Sequence, residues 1–458
     1  MTRGIKKVFV ANRGEIAVRI VRAAHEMGMQ TVVGCSDADA DSLAARMAGE
    51  VVNIGPAAAA KSYLNIAGVV AAAVASGADA VHPGYGFLSE NAGFAAAVVE
   101  AGLVFVGPSA QTIALMGDKA RARACATQAG VPTVPGSIGV VKNVKAALEE
   151  SVLIGFPIML KAAAGGGGRG IRVAGNADEL AAQYIAAKRE AQSAFGDDGI
   201  YLERFVSHAR HVEVQIIGDG QRVIHLYDRE CSLQRRRQKL FEEAPAPSLN
   251  DSMREKLCAC AASLAESVRY SGAGTLEFLF DATTEEFFFI EMNTRVQVEH
   301  PVTEMVTGID IVRETLRIAN GEPLRIRQQD VQLRGASLEC RINAEDPSKD
   351  FQPSPGLVSK LSFPTGPGVR VDSMLFEGYK VSPFYDSLLA KVVVWDEDRP
   401  AALRCMKRAL TELTLEGLPT TKALHLALLD DPGVVSASYH TNYLEEHLGA
   451  ILKAIPRA

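Results

Sequence analysis

The sequence has no apolar run long enough to cross a membrane. Its longest wholly apolar stretches, such as Val69–Ala75, fall far short of the ~20 residues that span a bilayer. We also expect no signal-type leader, because MTRGIKKVFVANRGE leads straight into a strand pattern. The seven cysteines are scattered without a C-x-x-C pair, so we expect reduced thiols, a cytoplasmic protein and no zinc site.

A strong excess of either charge is absent as well. The net charge of −6 argues against a general nucleic-acid binder. The motif G-x-x-x-x-G-K-[ST] does not occur, which excludes a P-loop nucleotide site. The chain also has no internal repeat and no low-complexity tail.

The composition is that of an ordinary globular protein. The 458 residues are 48% hydrophobic and 22% charged, which predicts a sizeable core and two to four domains. In residues 1–117, helical patterns such as Gly14–Gly28 and Tyr63–Gly77 separate strand-like runs, which indicates a parallel sheet covered by helices. These runs are KKVFVAN, QTVVGCS, EVVNIG, ADAVHPG and VFVGP. The first run leads into NRGEIAVRI, so the domain is Rossmann-like without a dinucleotide-binding turn.

The rest of the chain changes character twice. We expect one helix from about Ser109 to Gly130 and a compact α+β segment that ends near Phe205. Residues 206–330 are rich in strand patterns, with helices near 250–269 and 308–320. A third region begins near Arg334, where period-2 patterns return.

Four consecutive glycines lie within MLKAAAGGGGRGIRV, from Met159 to Val173. A strand precedes them and a second short strand follows, which indicates a hairpin flap and not a Rossmann turn. Bare backbone N–H groups can approach phosphate oxygens closely, so a mobile lid over ATP phosphates fits this pattern. A flexible surface turn is the alternative.

A second constellation, Thr275 to His300, consists of two β-rich runs around DATTE and predicts a hairpin. If Phe280 pairs with Glu286, then Glu277 and Glu291 lie on one face as diagonal neighbours. Carboxylates together with the amide oxygen of Asn293 are typical ligands of Mg²⁺ or Mn²⁺.

Alternation continues beyond this pair. If the chain stays extended, Asn293, Arg295, Gln297 and Glu299 project from the same face as Glu291. An arginine beside a metal–phosphate site can hold a small anion, and a nearby glutamate can act as a base. A solvated strand face is the alternative, although the run FFFIEM indicates partial burial.

Together these segments resemble the biotin carboxylase family of ATP-grasp enzymes. The resemblance covers essentially the whole chain. It runs through FVANRGEIAVRI, HPGYGFLSEN, VGPSAQTIALMGDK, the glycine loop, RHVEVQI, ECSLQRRRQKLFEEAPAP, IEMNTRVQVEHPVTEM, LECRINAEDP and SPFYDSLLAK.

The resemblance implies a role for each matched position. The implied ATP contacts are Lys119, Lys161, Gly167, Gly168, Glu203, Arg204, Val206, His211, Gln234 and Arg237, with Glu277 and Glu291 acting through the metal. The implied metal ligands are Glu277, Glu291 and Asn293. The implied bicarbonate and biotin pocket comprises Tyr85, Lys239, Arg295, Gln297, Val298 and Arg341. Glu299 would be the general base, and Arg341 would stabilise the biotin enolate.

Arg341 can also be read directly. SLECRINAE alternates, with Glu339, Arg341, Asn343 and Glu345 on one polar face, and from that pattern alone a surface arginine is the simpler interpretation.

Three matched positions depart from the family pattern. They are Ala164 in place of glycine, Arg204 in place of lysine, and Arg237 in place of histidine or asparagine.

The implied fold is α/β. It comprises a Rossmann-like domain over 1–117, an ATP-grasp domain over 118–333 with a lid at about 134–205, and a C-terminal α+β domain over 334–448. The implied reaction uses ATP with Mg²⁺ or Mn²⁺ to convert bicarbonate to carboxyphosphate, whose CO₂ is then attacked by biotin.

The implied partners follow from how biotin is delivered. No Ala-Met-Lys-Met biotinylation motif occurs, and the chain ends soon after the resemblance does. We therefore expect a separate biotin carboxyl carrier protein and a carboxyltransferase, most simply those of acetyl-CoA carboxylase, with propionyl-CoA or pyruvate as other acceptors. A homodimer is implied, with Arg22 and Glu26 at its contact, although these two could equally form an exposed i,i+4 pair. A different ATP-grasp carboxylate–amine ligase and a non-catalytic nucleotide-binding subunit remain as alternatives, and neither nucleic acid nor membrane is an expected partner.

Overall fold

The computed structural model describes residues 4–137, 139–163 and 171–455. They divide into two units. The larger comprises Met1–Val131, Arg210–Phe278 and Glu291–Ala458, and the smaller comprises Pro132–Ala209 and Leu279–Ile290. No helix within the described ranges is long and apolar enough to span a bilayer.

The N-terminal part of the larger unit is the predicted parallel sheet, with strand order β3-β2-β1-β4-β5. Alternate residues of β1 enter two different cores, Val8 and Val10 on one face and Phe9 on the other. Burial of both faces explains the apolar strands and alanine-rich helices. The strands are β1 Lys7–Val10, β2 Gln30–Ser36, β3 Glu50–Gly55, β4 Ala80–His82 and β5 Val104–Phe105. The helices are α1 Gly14–Glu26, α2 Leu43–Met47, α3 Ile66–Ala75, α4 Ala92–Glu100, α5 Ala110–Gly117 and α6 Lys119–Gln128.

The single helix expected from Ser109 to Gly130 was wrong. It is two helices, because Asp118 has an extended backbone (φ −85°, ψ 108°) and its carboxylate accepts the N–H groups of Ala120 and Arg121 at 3.0 Å. An aspartate N-cap offsets the loss of continuous helix by satisfying donors that a new helix start leaves free. The break places Lys119 at the first position of α6.

A turn at the carboxyl ends of β1 and β4 carries Tyr85. The Asn12 amide donates to the carbonyls of Pro83 and Tyr85 at 2.6 and 2.7 Å. Gly84 between them has φ +63°, and a Cβ there would lie 2.9 Å from the Asn12 amide nitrogen. Only glycine fits this turn without strain, so the turn fixes the position of the Tyr85 backbone.

The largest sheet has eight strands in the order β13-β12-β9-β10-β11-β14-β19-β18. Its first elements, with the adjoining helices, are β9 Ala209–Asp219, β10 Val223–Arg235, β11 Gln238–Ala244, α9 Asp251–Ser267, β12 Ser271–Asp281, β13 Glu286–Asn293, α10 His300–Thr307 and α11 Ile311–Ala319. The predicted hairpin around DATTE is therefore confirmed as β12 and β13.

The C-terminal part of the chain completes this sheet with three strands, adds two separate two-stranded sheets, and covers one face of the large sheet with helices. The elements are β14 Ala336–Asn343, β15 Glu345–Asp346, β16 Gln352–Pro353, β17 Lys360–Ser362, β18 Val369–Ser373, β19 Leu388–Asp396, α12 Arg399–Glu412, β20 Thr414–Glu416, α13 Lys422–Leu429, α14 Pro432–Val435 and α15 Tyr443–Ala454. Leu338, Cys340 and Ile342 of β14 pack with side chains of α12, α13 and α15. The opposite face carries buried charges, including Glu339 and Lys391.

The smaller unit holds the predicted flap. Its strands pair antiparallel in the order β7-β6-β8, so the two strands flanking the glycines form a hairpin. Ile158, Leu160 and Ala162 of β6 face the unit's apolar core, and Lys161 points to the other side. Its elements are α7 Val144–Ile154, β6 Ile158–Ala162, β7 Ile171–Ala174, α8 Ala177–Phe195 and β8 Ile200–Arg204.

Candidate active site

Glu299 is the centre of a buried ion cluster in the larger unit. It is the N-cap residue of α10, and its side chain is almost completely buried. The Lys239 ammonium donates to one carboxylate oxygen at 2.6 Å, and the Arg341 guanidinium donates to the other at 3.0 Å. A carboxylate clamped between two cations is held in one orientation.

The same two cations set the protonation state of Glu299. Burial by itself would raise its pKa, but Lys239, Arg341 and Arg229 reverse that effect and hold the pKa well below its ordinary value. Glu299 is therefore ionised in this structure at neutral pH.

Lys239, on β11, binds three carboxylates at once. Besides Glu299, its ammonium contacts Glu213 at 2.6 Å and Glu277 at 3.1 Å. Burial by itself would lower the pKa of Lys239, but the three glutamates raise it well above its ordinary value. This lysine is thus a permanent cation at the junction of the cluster.

Glu277 connects the cluster to an acidic ribbon on β12 and β13. Its carboxylate accepts from the amides of Asn293 at 2.9 Å and Gln297 at 3.2 Å, and His211 Nε2 lies 3.1 Å away. Glu291 lies close enough that burial and the charge of Glu277 together raise its pKa. Glu277 and Asn293 are therefore hydrogen-bonded neighbours, and the charge of Glu277 acts on Glu291.

The residues at this ribbon fit a hard divalent cation. Glu277, Glu291 and Asn293 offer carboxylate and amide oxygens, which are the donors that Mg²⁺ and Mn²⁺ prefer. The Lys119 ammonium, 3.9 Å from Glu291, is a weak and largely exposed neutralising partner. A divalent cation would relieve the repulsion between the two neighbouring carboxylates.

Arg295 fixes the segment that follows β13. Its guanidinium donates to Gln297 Oε1 and Asn293 Oδ1, both at 2.9 Å, and to the carboxylate of Glu90 at 2.9 Å. The Glu90 carboxylate also accepts the Thr294 N–H at 3.0 Å. The segment is thereby tied to the N-terminal sheet by the HPGYGFLSEN turn.

The expectation that the chain stays extended as far as Glu299 was wrong. The strand ends at Asn293, and the chain then turns into α10 with Pro301 in the first helical turn. The side chains of Arg295, Gln297 and Glu299 still converge, because the turn folds them back over Lys239 and Glu277. Asn293, Gln297 and Glu299 are buried and Arg295 is half-buried, so a solvated strand face is also excluded.

Arg341 is only partly exposed, and its guanidinium faces buried carboxylates, which overturns the surface interpretation. Its Nε donates to Glu242 Oε1 at 2.6 Å, and its backbone carbonyl accepts from Thr421 Oγ1 and His425 Nε2, both at 2.8 Å. Burial raises the pKa of Glu242 to about 7 against the opposing effect of Arg341. The polar face of β14 is therefore part of the site, and Glu345 lies beyond the end of that strand.

In the smaller unit, Lys161 on β6 forms an ion pair with Glu203 on β8. Arg204, at the end of β8, pairs with Glu286 at 3.1 Å and faces the Phe288 ring at 6.0 Å. Val206 follows the strand and is half-buried. The predicted contacts Gly167 and Gly168 lie outside the described residues, as does Ala164.

The remaining predicted residues occupy different surroundings. Gln234 is buried on β10, with its Cα paired with that of Lys239. Arg237 is exposed in the β10–β11 turn with φ +66°. The Val298 carbonyl accepts from Lys391 at 2.7 Å, and the Tyr85 hydroxyl donates to Glu15.

Several cluster members were not named from the sequence. Arg229 is fully buried and donates to Glu213 at 2.6 Å, thereby orienting the glutamate that holds Lys239. Glu242 and Lys391 were missed as well. The signal for Lys391 was present, because LLAKVVVW places a single lysine inside an apolar strand.

Cysteine, histidine and Glu26 complete the comparison with the sequence. All seven cysteines are free, as expected, and Cys231 is completely buried, so it is a packed thiol. His82 and His300 are buried, and burial lowers the pKa of both, that of His82 to about 3. Glu26 pairs with Arg313 in this chain.

Known proteins resemble this chain over nearly its full length. Residues 4–113 match the N-terminal domain of biotin carboxylase and residues 339–446 match its C-terminal domain. Residues 118–327 match the ATP-binding domain of the carbamoyl-phosphate synthase L chain. A biotin carboxylase from Nostoc is 50% identical over 96% of this chain and 98% of its own length. One from Pseudomonas aeruginosa is 52% identical over 97% of this chain and 99% of its own length.

Solved structures agree. The biotin carboxylase from Campylobacter jejuni, solved with β,γ-ATP, superimposes with a TM-score of 0.89 at 47% identity and covers 97% of this chain and 99% of that one. The biotin carboxylase domain dimer of 2-oxoglutarate carboxylase from Hydrogenobacter thermophilus was solved with MgADP, ADP and bicarbonate. Its TM-score is 0.88 at 45% identity, over 98% of this chain and 99% of that one.

Proposed function

The chain belongs to the biotin carboxylase family of ATP-dependent ligases, and we propose that its buried cluster carboxylates biotin with ATP and bicarbonate. The single observation that carries the proposal is Glu299, a buried carboxylate held between Lys239 and Arg341 beside an acidic ribbon. A base, an anion-binding cation and a cation for the product thus lie within one hydrogen-bonded group.

ATP binding is assigned to the positions that match the family. Lys119 and Lys161 would contact phosphates, and Glu203, Arg204 and Val206 would contact adenine, with Gly167 and Gly168 in the lid. His211, Gln234 and Arg237 complete the proposed nucleotide contacts. A Mg²⁺ or Mn²⁺ ion held by Glu277, Glu291 and Asn293 would neutralise charge on the phosphates.

Bicarbonate would bind to Lys239, Arg295, Gln297 and the backbone at Val298. Its negative charge competes with Glu299 for the Lys239 ammonium. As that ion pair loosens, the pKa of Glu299 rises from its depressed value, because one of the cations holding it down is shared. Glu299 then accepts the bicarbonate proton. The bicarbonate oxygen attacks the γ-phosphorus, the bond to ADP breaks, and carboxyphosphate and ADP form.

The second half of the reaction uses Arg341, and Tyr85 is assigned to the pocket that receives biotin. Carboxyphosphate breaks down to CO₂ and phosphate, the phosphate takes the proton from biotin N1′, and the nitrogen attacks CO₂. The ureido oxygen carries negative charge in this step. Arg341, held by Glu242 at 2.6 Å, is the proposed donor that stabilises it.

The remaining assignments concern partners. We propose that biotin arrives on a separate carrier protein and that a carboxyltransferase takes the carboxyl group onward, most simply to acetyl-CoA. Similarity to a biotin carboxylase subunit of pyruvate carboxylase, 46% identical, keeps pyruvate as a second acceptor. A homodimer is proposed by analogy with the Hydrogenobacter domain dimer, and a cytoplasmic location stays a prediction.

Release of ADP by the purified protein tests the central proposal. We expect release to require both Mg²⁺ and bicarbonate and to increase when free biotin is added, with N-carboxybiotin as product. ADP release that ignores bicarbonate and follows an added amine would favour a carboxylate–amine ligase instead. No ADP release under any of these conditions would favour a non-catalytic nucleotide-binding subunit. The carboxyltransferase that co-purifies with the chain would identify the acceptor.

A further inference from the structure

Lys391 is a fully buried lysine that has no assigned part in the reaction outlined above. It lies on β19, with its Cα paired to that of Arg341 on one side and that of Asp372 on the other. Its ammonium donates to the Val298 carbonyl at 2.7 Å and lies 3.0 Å from Glu15 Oε1. Burying an ammonium is costly unless its partners are well placed.

The two partners belong to different segments of the chain. Val298 is in the segment that carries Arg295, Gln297 and Glu299. Glu15 is in the first turn of α1, and its carboxylate accepts the hydroxyl hydrogen of Tyr85. One ammonium therefore links the segment assigned to bicarbonate with the tyrosine assigned to the bicarbonate and biotin pocket.

Charge balance alone does not explain this arrangement. Three carboxyls face Lys391, namely those of Glu15, Glu339 and Asp372, and His300, Arg341 and Arg370 are the cationic or titratable groups nearby. Among the described residues, neither carboxyl oxygen of Glu339 has a hydrogen-bond partner. The ammonium nevertheless donates to a neutral backbone carbonyl. A lysine present only to neutralise acids would be expected to bind Glu339.

We propose that Lys391 is a positioning residue of the bicarbonate and biotin pocket, holding Val298 directly and Tyr85 through Glu15. The proposal rests on the function proposed above for Val298 and Tyr85. It assigns Lys391 no contact with substrate. Its effect is to keep Val298 and Tyr85 at a fixed separation. Its loss should therefore weaken substrate binding at this pocket and leave nucleotide binding unchanged.

Lys391→Met tests the proposal, because methionine keeps most of the volume and removes the ammonium. We expect the KM for bicarbonate to rise about tenfold, as for loss of one hydrogen bond from a charged donor. The KM for free biotin should rise as well, and the KM for ATP should stay within twofold. Lys7→Met is the matched control. Lys7 also donates to one carbonyl, Ser76 O at 2.7 Å, and pairs with one glutamate, Glu50 at 2.6 Å, but at the amino end of β1. Lys7→Met should leave the KM values for bicarbonate, biotin and ATP unchanged.

The double variant Lys391→Met with Glu15→Gln separates positioning from charge balance. It removes both charges, so its thermal stability should be higher than that of Lys391→Met alone. The double variant therefore still provides a test if the single variant fails to fold. Because Val298 still lacks its donor, the KM for bicarbonate should remain about tenfold raised. Recovery of that KM in the double variant would overturn the proposal, as would an unchanged KM in Lys391→Met. If the wild-type chain itself shows no bicarbonate-dependent ADP release, the proposed function fails, and this is seen before any variant is compared.

Discussion

Replacement of Glu299 by glutamine probes the centre of the site with the smallest change of shape. Glutamine keeps the length and one carbonyl acceptor but cannot take a proton at neutral pH. It also leaves one of the two cations, Lys239 at 2.6 Å or Arg341 at 3.0 Å, without its carboxylate oxygen. The variant should therefore lose both a base and part of an ion cluster, and the two losses can be measured separately.

The expected magnitudes follow from those two roles. A positioned general base contributes roughly 10²–10⁴ in rate, which corresponds to about 3–5 kcal/mol of barrier. Loss of one hydrogen bond to a charged group costs about 1.5–3 kcal/mol of stability, which a folded protein of ordinary stability tolerates. Glu299→Gln should therefore fold, bind ATP with an unchanged Kd, and lose bicarbonate-dependent ADP release by at least a factor of about 10².

Glu213→Gln is the matched control for this variant. Glu213 also accepts from Lys239 at 2.6 Å, yet it holds the cluster together without facing the second cation, Arg341. We expect a raised KM for bicarbonate and a fall in kcat of less than about tenfold, because Glu213 is not the proposed base. Normal turnover in Glu299→Gln would remove the base from the mechanism. An equal loss in both variants would mean that disorder of Lys239, and not a missing base, explains the result.

Three further substitutions test other parts of the site. Arg341→Ala should spare ATP binding but lower biotin carboxylation roughly 10²–10³-fold, and an unchanged rate with biotin would contradict this. Glu291→Gln should raise the Mg²⁺ concentration needed for half-maximal ADP release about 10–100-fold, and an unaltered requirement would exclude it as a ligand. Glu242 has a pKa raised from 4.5 to about 7 in the fold, so its protonated form stabilises the protein below pH 4.5 and that contribution is lost as pH rises through 7. In urea unfolding, the free energy of unfolding of Glu242→Gln relative to that of the wild type should therefore rise by about 3 kcal/mol between pH 4.5 and 8. A difference that does not change with pH would refute the shift.

Local pattern was sufficient where each element's partner is close in sequence. The five parallel strands, the flap hairpin and the β12–β13 hairpin follow from alternation, apolar runs and turn residues, all of which act within about 30 residues. The helix break at Asp118 had a local signal too, since Gly117 can end a helix and Asp118 can cap the next. The uninterrupted helical pattern on both sides concealed it.

The burial of charge could not be read from any one segment. Arg341 looks like a surface residue in SLECRINAE because its partners, Glu242 and Glu299, come from β11 and the start of α10. Alternation assigns residues to two faces of a strand but does not say which face is covered. Here both faces of β14 are covered, one by apolar helices and the other by α10 and the loop before it.

The ion pairs that hold this pocket in shape would also determine how strong the proposed base is. Lys239 and Arg341 lower the pKa of Glu299, so its carboxylate is ionised but a poor proton acceptor while both cations hold it. Bicarbonate bound as proposed would take a hydrogen bond from Lys239, the cation that it would share with Glu299. Each hydrogen bond transferred from Glu299 to the substrate anion raises the pKa of the base and stabilises the anion at once. The proposed base would therefore become strong only when bicarbonate is in place, and a pocket without the shared cation would lose this coupling even if Glu299 were kept.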